Sequence, residues 1–331
     1  MKPFYAFFKV LMKVTLRMYF KKVQIEGLKN VPRDQPLLVT PNHQNAFLDA
    51  LLVGANIPIP LHILTRADIF NRWTKPLLGL LNMMPIYRIR DGYAKLSQND
   101  AVFETCKDLF KEKKSVLIFA EGNHGEHHYL RPLTKGAARI AVFSQQEIDE
   151  EIKVLPVGVN YFEHQKSRSG VVLVFGEPIP VKQYQEQHEK EGAKGILGMK
   201  EAISEGMKST LVIPEETPDY EQKKKAIFQE KHLGYSFHKL RKVGNDVEVD
   251  SKKRRGTMAK ILNPVPFLII NKVVSGVKDV VFISSMKFAV GLVAFPVWWL
   301  IVFATLSLLV GTPLAFFTVF VMVVGLFYSY S

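Results

Sequence analysis

Apolar and polar residues alternate in short blocks through the first half of the chain. Runs of four to six mainly apolar residues predict strands at 36–40, 61–64, 84–89, 115–120, 154–159 and 171–175. Between them apolar residues recur at helical spacing, most clearly over 94–111, where Val102, Cys106 and Phe110 share one face. This alternation predicts an α/β fold with a mixed, largely parallel sheet flanked by helices.

The first 22 residues show a different pattern. Cations recur at every fourth position, so that on a helix Lys9, Lys13, Arg17 and Lys21 form one basic stripe, with apolar residues at most other positions. An amphipathic helix of this kind is typical of segments that lie in a membrane interface. A helix packed on the protein, with its cations simply solvated, fits the same pattern equally well.

The last part of the chain is strongly apolar. Residues 288–331 contain no charged side chain, and two stretches, 288–310 and 314–330, are separated by the turn-forming sequence Gly311-Thr312-Pro313. The first stretch is long enough to cross a bilayer as a helix and the second is marginal. We therefore predict a C-terminal transmembrane helical hairpin, with a re-entrant or interfacial hairpin as the alternative.

These patterns divide the chain into four segments. The interface helix occupies 1–22 and the α/β domain 23–180. A stretch rich in Lys, Glu and Gln over 181–260 is predicted to be a charged helical insertion, and 261–331 is the membrane-anchoring segment. The cations that precede the apolar tail place the α/β domain on the cytoplasmic side of the membrane.

The formal net charge of +13 indicates an anionic partner. Nucleic acid is the first candidate, but the sequence contains no helix-turn-helix, zinc-finger or ribonucleoprotein pattern, so none is predicted. Anionic lipid, phosphate and coenzyme A fit better. The single cysteine, Cys106, excludes a disulfide framework.

The sequence predicts its chemistry between a strand and a helix, at residues 41–49. We expect Asn45 to be the N-cap of a helix over 46–54. His43 and Asp49 are six positions apart, so they can meet only if His43 lies in the turn before that helix. A neutral histidine there takes a proton from a hydroxyl, and an aspartate on its other ring nitrogen fixes the tautomer. A purely structural hydrogen bond is the alternative.

Three further blocks follow this one along the chain. They are Pro85-Ile86-Tyr87-Arg88, then Phe119-Ala120-Glu121-Gly122-Asn123-His124-Gly125 with the later Lys135-Gly136, and finally residues 154–161. In order and spacing the four blocks resemble those of the glycerolipid acyltransferase family, which includes glycerol-3-phosphate and 1-acyl-glycerol-3-phosphate acyltransferases. The resemblance covers roughly residues 25–180.

The sequence departs from the usual family pattern at three places. Five residues separate His43 from Asp49 where most members have four, Ala120 stands in place of a proline, and Asn123-His124 replaces a Thr-Arg pair. A yeast-type branch that acylates glycerol 3-phosphate or dihydroxyacetone phosphate resembles this chain in the five-residue spacing, in the absence of the Thr-Arg pair and in the apolar tail.

The resemblance implies a role for each site residue. His43 is the general base and Asp49 orients it. Arg88 binds the acceptor phosphate, since a planar guanidinium grips two oxygens at once, and Arg90 competes for that role. The remaining substrate-binding residues are Glu121, Gly122, Asn123, His124 and Lys135.

The implied reaction is transfer of an acyl group from acyl-CoA or acyl carrier protein, as co-substrate, to a hydroxyl of a glycerol-phosphate acceptor beside membrane lipids, without a cofactor. Three alternatives remain open. They are a catalytically inactive lipid-binding membrane protein, an acyltransferase acting on an aminolipid, and a metal-dependent hydrolase built on His124, His127 and His128. The histidine spacing matches no standard zinc pattern, so no metal is predicted.

Overall fold

An eight-stranded mixed sheet lies at the centre of the chain. The structure is a computed structural model that describes residues 3–87, 98–244 and 257–328. The strands are β1 (Lys22–Glu26), β2 (Leu37–Pro41), β3 (Leu61–Arg66), β4 (Met83–Ile86), β5 (Ser115–Leu117), β6 (Lys153–Tyr161), β7 (Gly170–Phe175) and β8 (Ile179–Pro180). Their order is β1-β7-β6-β2-β5-β3-β4, with β8 paired to β6.

Most neighbouring strands are parallel. The five strands from β6 to β4 in that order run in one direction. β7 is antiparallel to β6, and β1 is parallel to β7. Each predicted strand is present, and the mixed, largely parallel sheet is confirmed. β1 and β8 were not predicted, because both are short and only partly buried.

Helices cover both faces of the sheet. They are α1 (Pro3–Tyr19), α2 (Phe47–Asn56), α3 (Thr74–Leu80), α4 (Gln98–Lys111), α5 (Gly136–Gln145), α6 (Lys182–Glu191), α7 (Ala193–Ser209), α8 (Tyr220–Ile227), α9 (Phe237–Arg241), α10 (Thr257–Leu262), α11 (Pro264–Ser275), α12 (Phe282–Val310) and α13 (Thr312–Tyr328). Alternate residues of β2 point to opposite faces: Leu37 and Val39 pack with α1 and α2, and Leu38 packs with α4, α5 and α7.

Helix α7 belongs to the region predicted as a charged insertion, yet its apolar side packs on the sheet. Met199, Ile203 and Met207 are buried in the same core as Cys106 of α4. The charged residues of α7 therefore lie away from the side of this helix that completes the α/β core. The division of the chain into four segments stays a prediction.

Helix α1 packs on the α/β domain through Met12 and Leu16. Two of its predicted stripe cations are engaged by the protein. Lys9 Nζ donates to the carbonyls of Ile57 and Ile59, the latter at 3.0 Å, and Lys21 pairs with Glu230 at 2.8 Å.

The outer face of α1 is mainly apolar, because it exposes Phe4, Phe7, Val10 and Val14. Of the predicted basic stripe, Arg17 is exposed on this face, whereas Lys9 and Lys21 bond to the protein.

The apolar tail forms the two predicted helices. Among the described residues, α12 is the one helix that is long and apolar enough to cross a membrane, and α13 is shorter, with 17 residues. α12 begins at Phe282, six residues before the predicted span, and its first turns are buried against the α/β domain. Trp299, near the middle of α12, donates its indole N–H to buried Asn263 at 2.8 Å, which satisfies the polar group of that tryptophan.

Candidate active site

The candidate site lies at the carboxyl ends of three adjacent strands. His43 follows β2, Glu121 follows the neighbouring β5, and Tyr161 ends β6 on the other side. The carboxyl ends of parallel strands form one edge of a sheet, which is where open α/β sheets bind ligands. Asn42 fixes the loop after β2, because its side chain accepts from Val159 N–H at 2.7 Å and donates to the Val159 carbonyl at 3.1 Å.

A tight turn joins this loop to α2. Leu48 N–H donates to the Asn45 carbonyl at 3.1 Å, which closes the turn. Within it Ala46 has φ 46° and ψ −129°, a conformation that favours glycine and strains any residue with a Cβ.

Asn45 is not the N-cap that the sequence predicted. Helix α2 begins at Phe47, and the Asn45 side chain points away to donate to the His164 carbonyl at 3.0 Å. The carboxylate of Asp49 accepts the N–H groups before the helix instead. An aspartate in the first turn does this better than asparagine because its charge also interacts favourably with the helix dipole.

Asp49 is fully buried and accepts four hydrogen bonds. Oδ2 accepts from His43 Nδ1 and from the N–H groups of Gln44 and Asn45, each at 2.8 Å. Oδ1 accepts from the Tyr161 hydroxyl at 2.6 Å. Four donors compensate the loss of hydration that burial of a carboxylate entails.

The His43 ring is held on three sides. Its Nδ1–H donates to Asp49, which leaves Nε2 as the nitrogen that can take a proton. The ring stacks on Phe119 with centroids 3.8 Å apart and meets the edge of His124 at 5.5 Å. Only 15% of the side chain is exposed. His43 and Asp49 therefore meet across their six-residue spacing, because His43 lies in the loop before α2 and Asp49 in the first turn of that helix.

Glu121 supports the His43 loop. Its Oε1 accepts the His43 N–H at 2.9 Å, and its Oε2 pairs with Arg131 at 2.5 Å. Burial raises the pKa of Glu121 to about 7, although Arg131 and the His43 N–H act in the opposite direction. Arg131 also donates to the carbonyls of His43 and Asn123. Its guanidinium is therefore engaged by the protein itself.

The glycine after Glu121 is required by the turn. Gly122 has φ 72°, and a Cβ there would lie 2.9 Å from the Thr134 side chain. The Gly122 N–H donates to the Phe119 carbonyl at 3.0 Å, so it closes the turn. Asn123 contributes its carbonyl to Arg131, which ties the two ends of the loop together.

The loop histidines have separate partners. His124 Nε2 contacts Asp279 at 3.0 Å and its ring lies 5.0 Å from Phe282; burial lowers its pKa, opposed by Asp279. His128 is deeply buried, donates Nε2–H to the Tyr161 carbonyl and accepts from the Tyr220 hydroxyl at Nδ1. Across the described residues, no group of three His, Cys, Asp or Glu side chains is placed to hold a metal ion.

The structure describes only one of the two remaining predicted substrate-binding positions, and that one lies apart from this cluster. Arg88, with its competitor Arg90, falls outside the described residues. Lys135 lies just before α5 with its side chain exposed, and no hydrogen bond within the described part of the chain joins its ammonium to the His43 loop.

Sequence reasoning missed several residues that shape the site. Tyr161 was assigned only to a core strand, and Phe119 only to the third block, although an aromatic residue at the end of each strand was a usable signal. Asp279 and Ser285 of the tail left no such signal, since nothing local connects Asp279 to a loop 155 residues earlier or Ser285 to one more than 230 residues earlier.

Comparison with known proteins decides the family of this domain. Residues 22–160 match the family described as Acyltransferase. These residues belong to the acyltransferase family. The acyltransferase domain thus contains β1 to β6 and both residues of the His43–Asp49 pair, and the predicted resemblance to glycerolipid acyltransferases is confirmed.

Named relatives of the acyltransferase domain agree with this assignment. "Glycerol-3-phosphate O-acyltransferase 2" of Saccharomyces cerevisiae is 30% identical over 131 residues, 39% of this chain and 17% of the yeast protein. "1-acyl-sn-glycerol-3-phosphate acyltransferase BAT2, chloroplastic" of Brassica napus is 31% identical over 127 residues, 37% of this chain and 34% of the plant protein. This chain therefore spans only about a sixth to a third of the length of these relatives.

A solved structure is also similar to part of this chain. The 1-acyl-sn-glycerophosphate acyltransferase PlsC from Thermotoga maritima matches with a TM-score of 0.39 and 19% identity. The match covers 56% of this chain and 71% of that structure.

Proposed function

We propose that this chain is an O-acyltransferase of phospholipid biosynthesis. It transfers a fatty acyl group from acyl-CoA or acyl carrier protein to a hydroxyl of 1-acyl-sn-glycerol 3-phosphate or sn-glycerol 3-phosphate. The observation that carries the proposal is the His43–Asp49 hydrogen bond at the carboxyl edge of the sheet, inside the acyltransferase domain. The names of the yeast and plant relatives supply the acceptor class.

The geometry suits His43 to act as the general base. With Nδ1–H bonded to Asp49, Nε2 takes the proton of the acceptor hydroxyl as its oxygen attacks the thioester carbonyl. The thiolate of the donor leaves when the tetrahedral intermediate collapses, and the imidazolium returns the proton to it. Asp49 stabilises that imidazolium. The reaction needs no acyl-enzyme and no cofactor.

The acceptor phosphate requires cationic side chains, but those of the described cluster already have partners within the protein. Arg131 is paired with Glu121, and His124 contacts Asp279. Arg88 is therefore the residue we assign to the phosphate, with Lys135 adding positive charge from outside the cluster. Gly122 and Asn123 act through the loop backbone, and Glu121 orders it.

We also propose that the protein is anchored in a membrane with its acyltransferase domain on the cytoplasmic side. Helix α12 carries no charged residue from Phe288 onward and exposes Val293, Leu300, Ile301 and Leu308. The apolar outer face of α1 supports a second, interfacial contact. Burial of both surfaces in lipid brings the site to the membrane in which its acceptor and product reside.

The test is consumption of an acyl thioester by membranes that contain the full chain. Glycerol 3-phosphate, 1-acyl-glycerol 3-phosphate and a lyso-aminolipid are offered separately. His43→Ala should lower transfer at least about a hundredfold because the base is lost. His238→Ala, an exposed histidine of α9, is the control and should retain activity.

Each outcome bears on a different part of the proposal. Transfer only to the lyso-aminolipid would show that the acceptor class is wrong. Substantial activity in His43→Ala would show that His43 is not the base. No thioester consumption by the unaltered chain with any acceptor would favour the inactive lipid-binding protein.

A further inference from the structure

The first turn of α12 contacts the turn that precedes the helix carrying Asp49. Ser285 is fully buried, and its Oγ donates to the Asn45 carbonyl at 2.8 Å. The same oxygen accepts the Leu48 N–H at 3.3 Å. One hydroxyl therefore bridges the two backbone groups that close the turn. Ser285 lies far outside the acyltransferase domain of residues 22–160, so the family assigns it no role.

This turn needs external support because of Ala46. A residue with a Cβ at φ 46° and ψ −129° is strained, and such a conformation persists only where surrounding contacts fix it. Within the turn one backbone hydrogen bond, from Leu48 N–H to the Asn45 carbonyl, holds it closed. Ser285 contacts both partners of that bond.

The shape of the turn determines the geometry of the catalytic pair. Asp49 Oδ2 receives the N–H groups of Gln44 and Asn45 together with His43 Nδ1. If the turn opened, the two N–H groups would move relative to α2. The carboxylate could then no longer meet all three donors, and the direction of the imidazole would change.

We propose that Ser285 is a positioning residue for the His43–Asp49 pair. It touches neither substrate nor the reacting atoms and acts by keeping the strained turn at Ala46 closed. Because Ser285 is in the helix that we assign to the membrane, the anchor is part of the structure that orients the base. The inference rests on the proposed acyltransferase function.

The chain offers a matched pair of variants in adjacent positions. Ser284 is also buried, but its Oγ contacts the Tyr19 hydroxyl of α1 at 2.6 Å. Ser285→Ala and Ser284→Ala each remove one buried hydroxyl from the same turn of α12. Both should lower the melting temperature of the full-length protein by similar amounts, since each loses hydrogen bonds of the same kind.

Catalysis should separate the two variants. Ser285→Ala should lower kcat about ten- to a hundredfold, because a small displacement of the base is costly, while KM for donor and acceptor changes little. Ser284→Ala should keep the kcat of the unaltered chain. Adding Ala46→Gly to Ser285→Ala should restore part of the lost kcat, since glycine adopts this conformation without strain.

A second measurement does not depend on activity. Hydrogen exchange of a peptide covering residues 43–50 should be faster in Ser285→Ala, because this variant removes one acceptor of the Leu48 N–H. It should be unchanged in Ser284→Ala. Equal kcat in the two serine variants, or unchanged exchange in Ser285→Ala, would overturn the positioning role. If the unaltered chain transfers no acyl group, the proposed function fails, and the exchange result still decides whether Ser285 holds the turn.

Discussion

Tyr161 and His43 bind opposite oxygens of one buried carboxylate. The Tyr161 hydroxyl donates to Asp49 Oδ1 at 2.6 Å, while His43 Nδ1 donates to Oδ2 at 2.8 Å. The phenol ends β6 and the imidazole follows β2, so two adjacent strands fix the carboxylate from both sides. Burial, with Asp49 beside it, raises the pKa of Tyr161 far above its usual range, which keeps the hydroxyl a donor.

Tyr161→Phe should therefore lower kcat about tenfold, equivalent to about 1.4 kcal/mol of transition-state stabilisation. The ring stays packed, but Oδ1 loses its donor and the carboxylate can rotate. The measurement is kcat with each acceptor. Tyr5→Phe is the control, because Tyr5 is also buried and accepts the Leu61 N–H at 3.0 Å away from the site. A similar loss in both variants would assign the effect to packing.

Asp49→Asn should reduce turnover by about three to four orders of magnitude, as in other histidines deprived of their orienting carboxylate. The amide presents two N–H donors where Asp49 accepts from four groups, so His43 is no longer held in one tautomer. Asp279→Asn provides the comparison, since Asp279 contacts His124 and not His43. A mild effect of Asp49→Asn on kcat would make the pair structural.

Glu121→Gln should change how stability depends on pH. An acid whose pKa is raised from 4.5 to about 7 in the folded state binds more protons folded than unfolded between those values. Its contribution to stability is therefore complete below pH 4.5 and is lost as pH rises through 7, by about 3 kcal/mol in all. Glutamine does not titrate, so this decline should be absent from the variant. Melting temperatures of both proteins from pH 5 to 8 provide the test, and parallel curves would contradict it.

Arg88→Lys should raise the acceptor KM sharply and leave the donor KM nearly unchanged. An ammonium keeps the charge but lacks the two-pronged grip of a guanidinium on phosphate. Arg90→Lys is the internal control, and both sites are assayed together with the melting temperature. An acceptor-specific effect at Arg90 alone would assign the phosphate contact to Arg90 instead of Arg88. No effect at either would place it in the loop after β5.

Ending the chain after residue 289 should release the protein from its deepest membrane contact. This cut keeps Ser284, Ser285 and Phe288, which are buried against the α/β domain, and removes the exposed remainder of α12 and all of α13. Binding through α1 and the basic segments should remain and weaken with added salt. Alkaline carbonate extraction measures the difference, and retention of the shortened protein would show that another segment is the main anchor.

The sheet and the catalytic pair were predictable because each rests on a local pattern. The runs at 36–40 and 154–159 are apolar at nearly every position, as strands buried on both faces are. The six-residue spacing of His43 and Asp49 excluded a shared helical face and so located the histidine in the turn.

Other features depend on competition that a sequence does not display. Asn45 is a good N-cap by type, but the Leu48 N–H that its side chain would accept bonds to the Asn45 carbonyl and to Ser285 instead, and the His164 carbonyl accepts from the Asn45 amide. Ala46 carries no sign of a positive φ, since glycine is the usual residue there. The basic stripe of α1 was inferred from spacing alone, yet the carbonyls of Ile57 and Ile59 take Lys9 inward.

The bond from Ser285 to Asn45 also sets an order of events during synthesis, because its two ends are 240 residues apart in the chain. At a rate of about 5–20 residues per second, a ribosome needs about 12–48 s to travel that distance. During that interval the later strands of the acyltransferase domain, β3 to β6, are made, while the turn beside Asp49 lacks the hydroxyl that bridges it. The nascent chain can complete this turn only after the first turn of α12 has been translated.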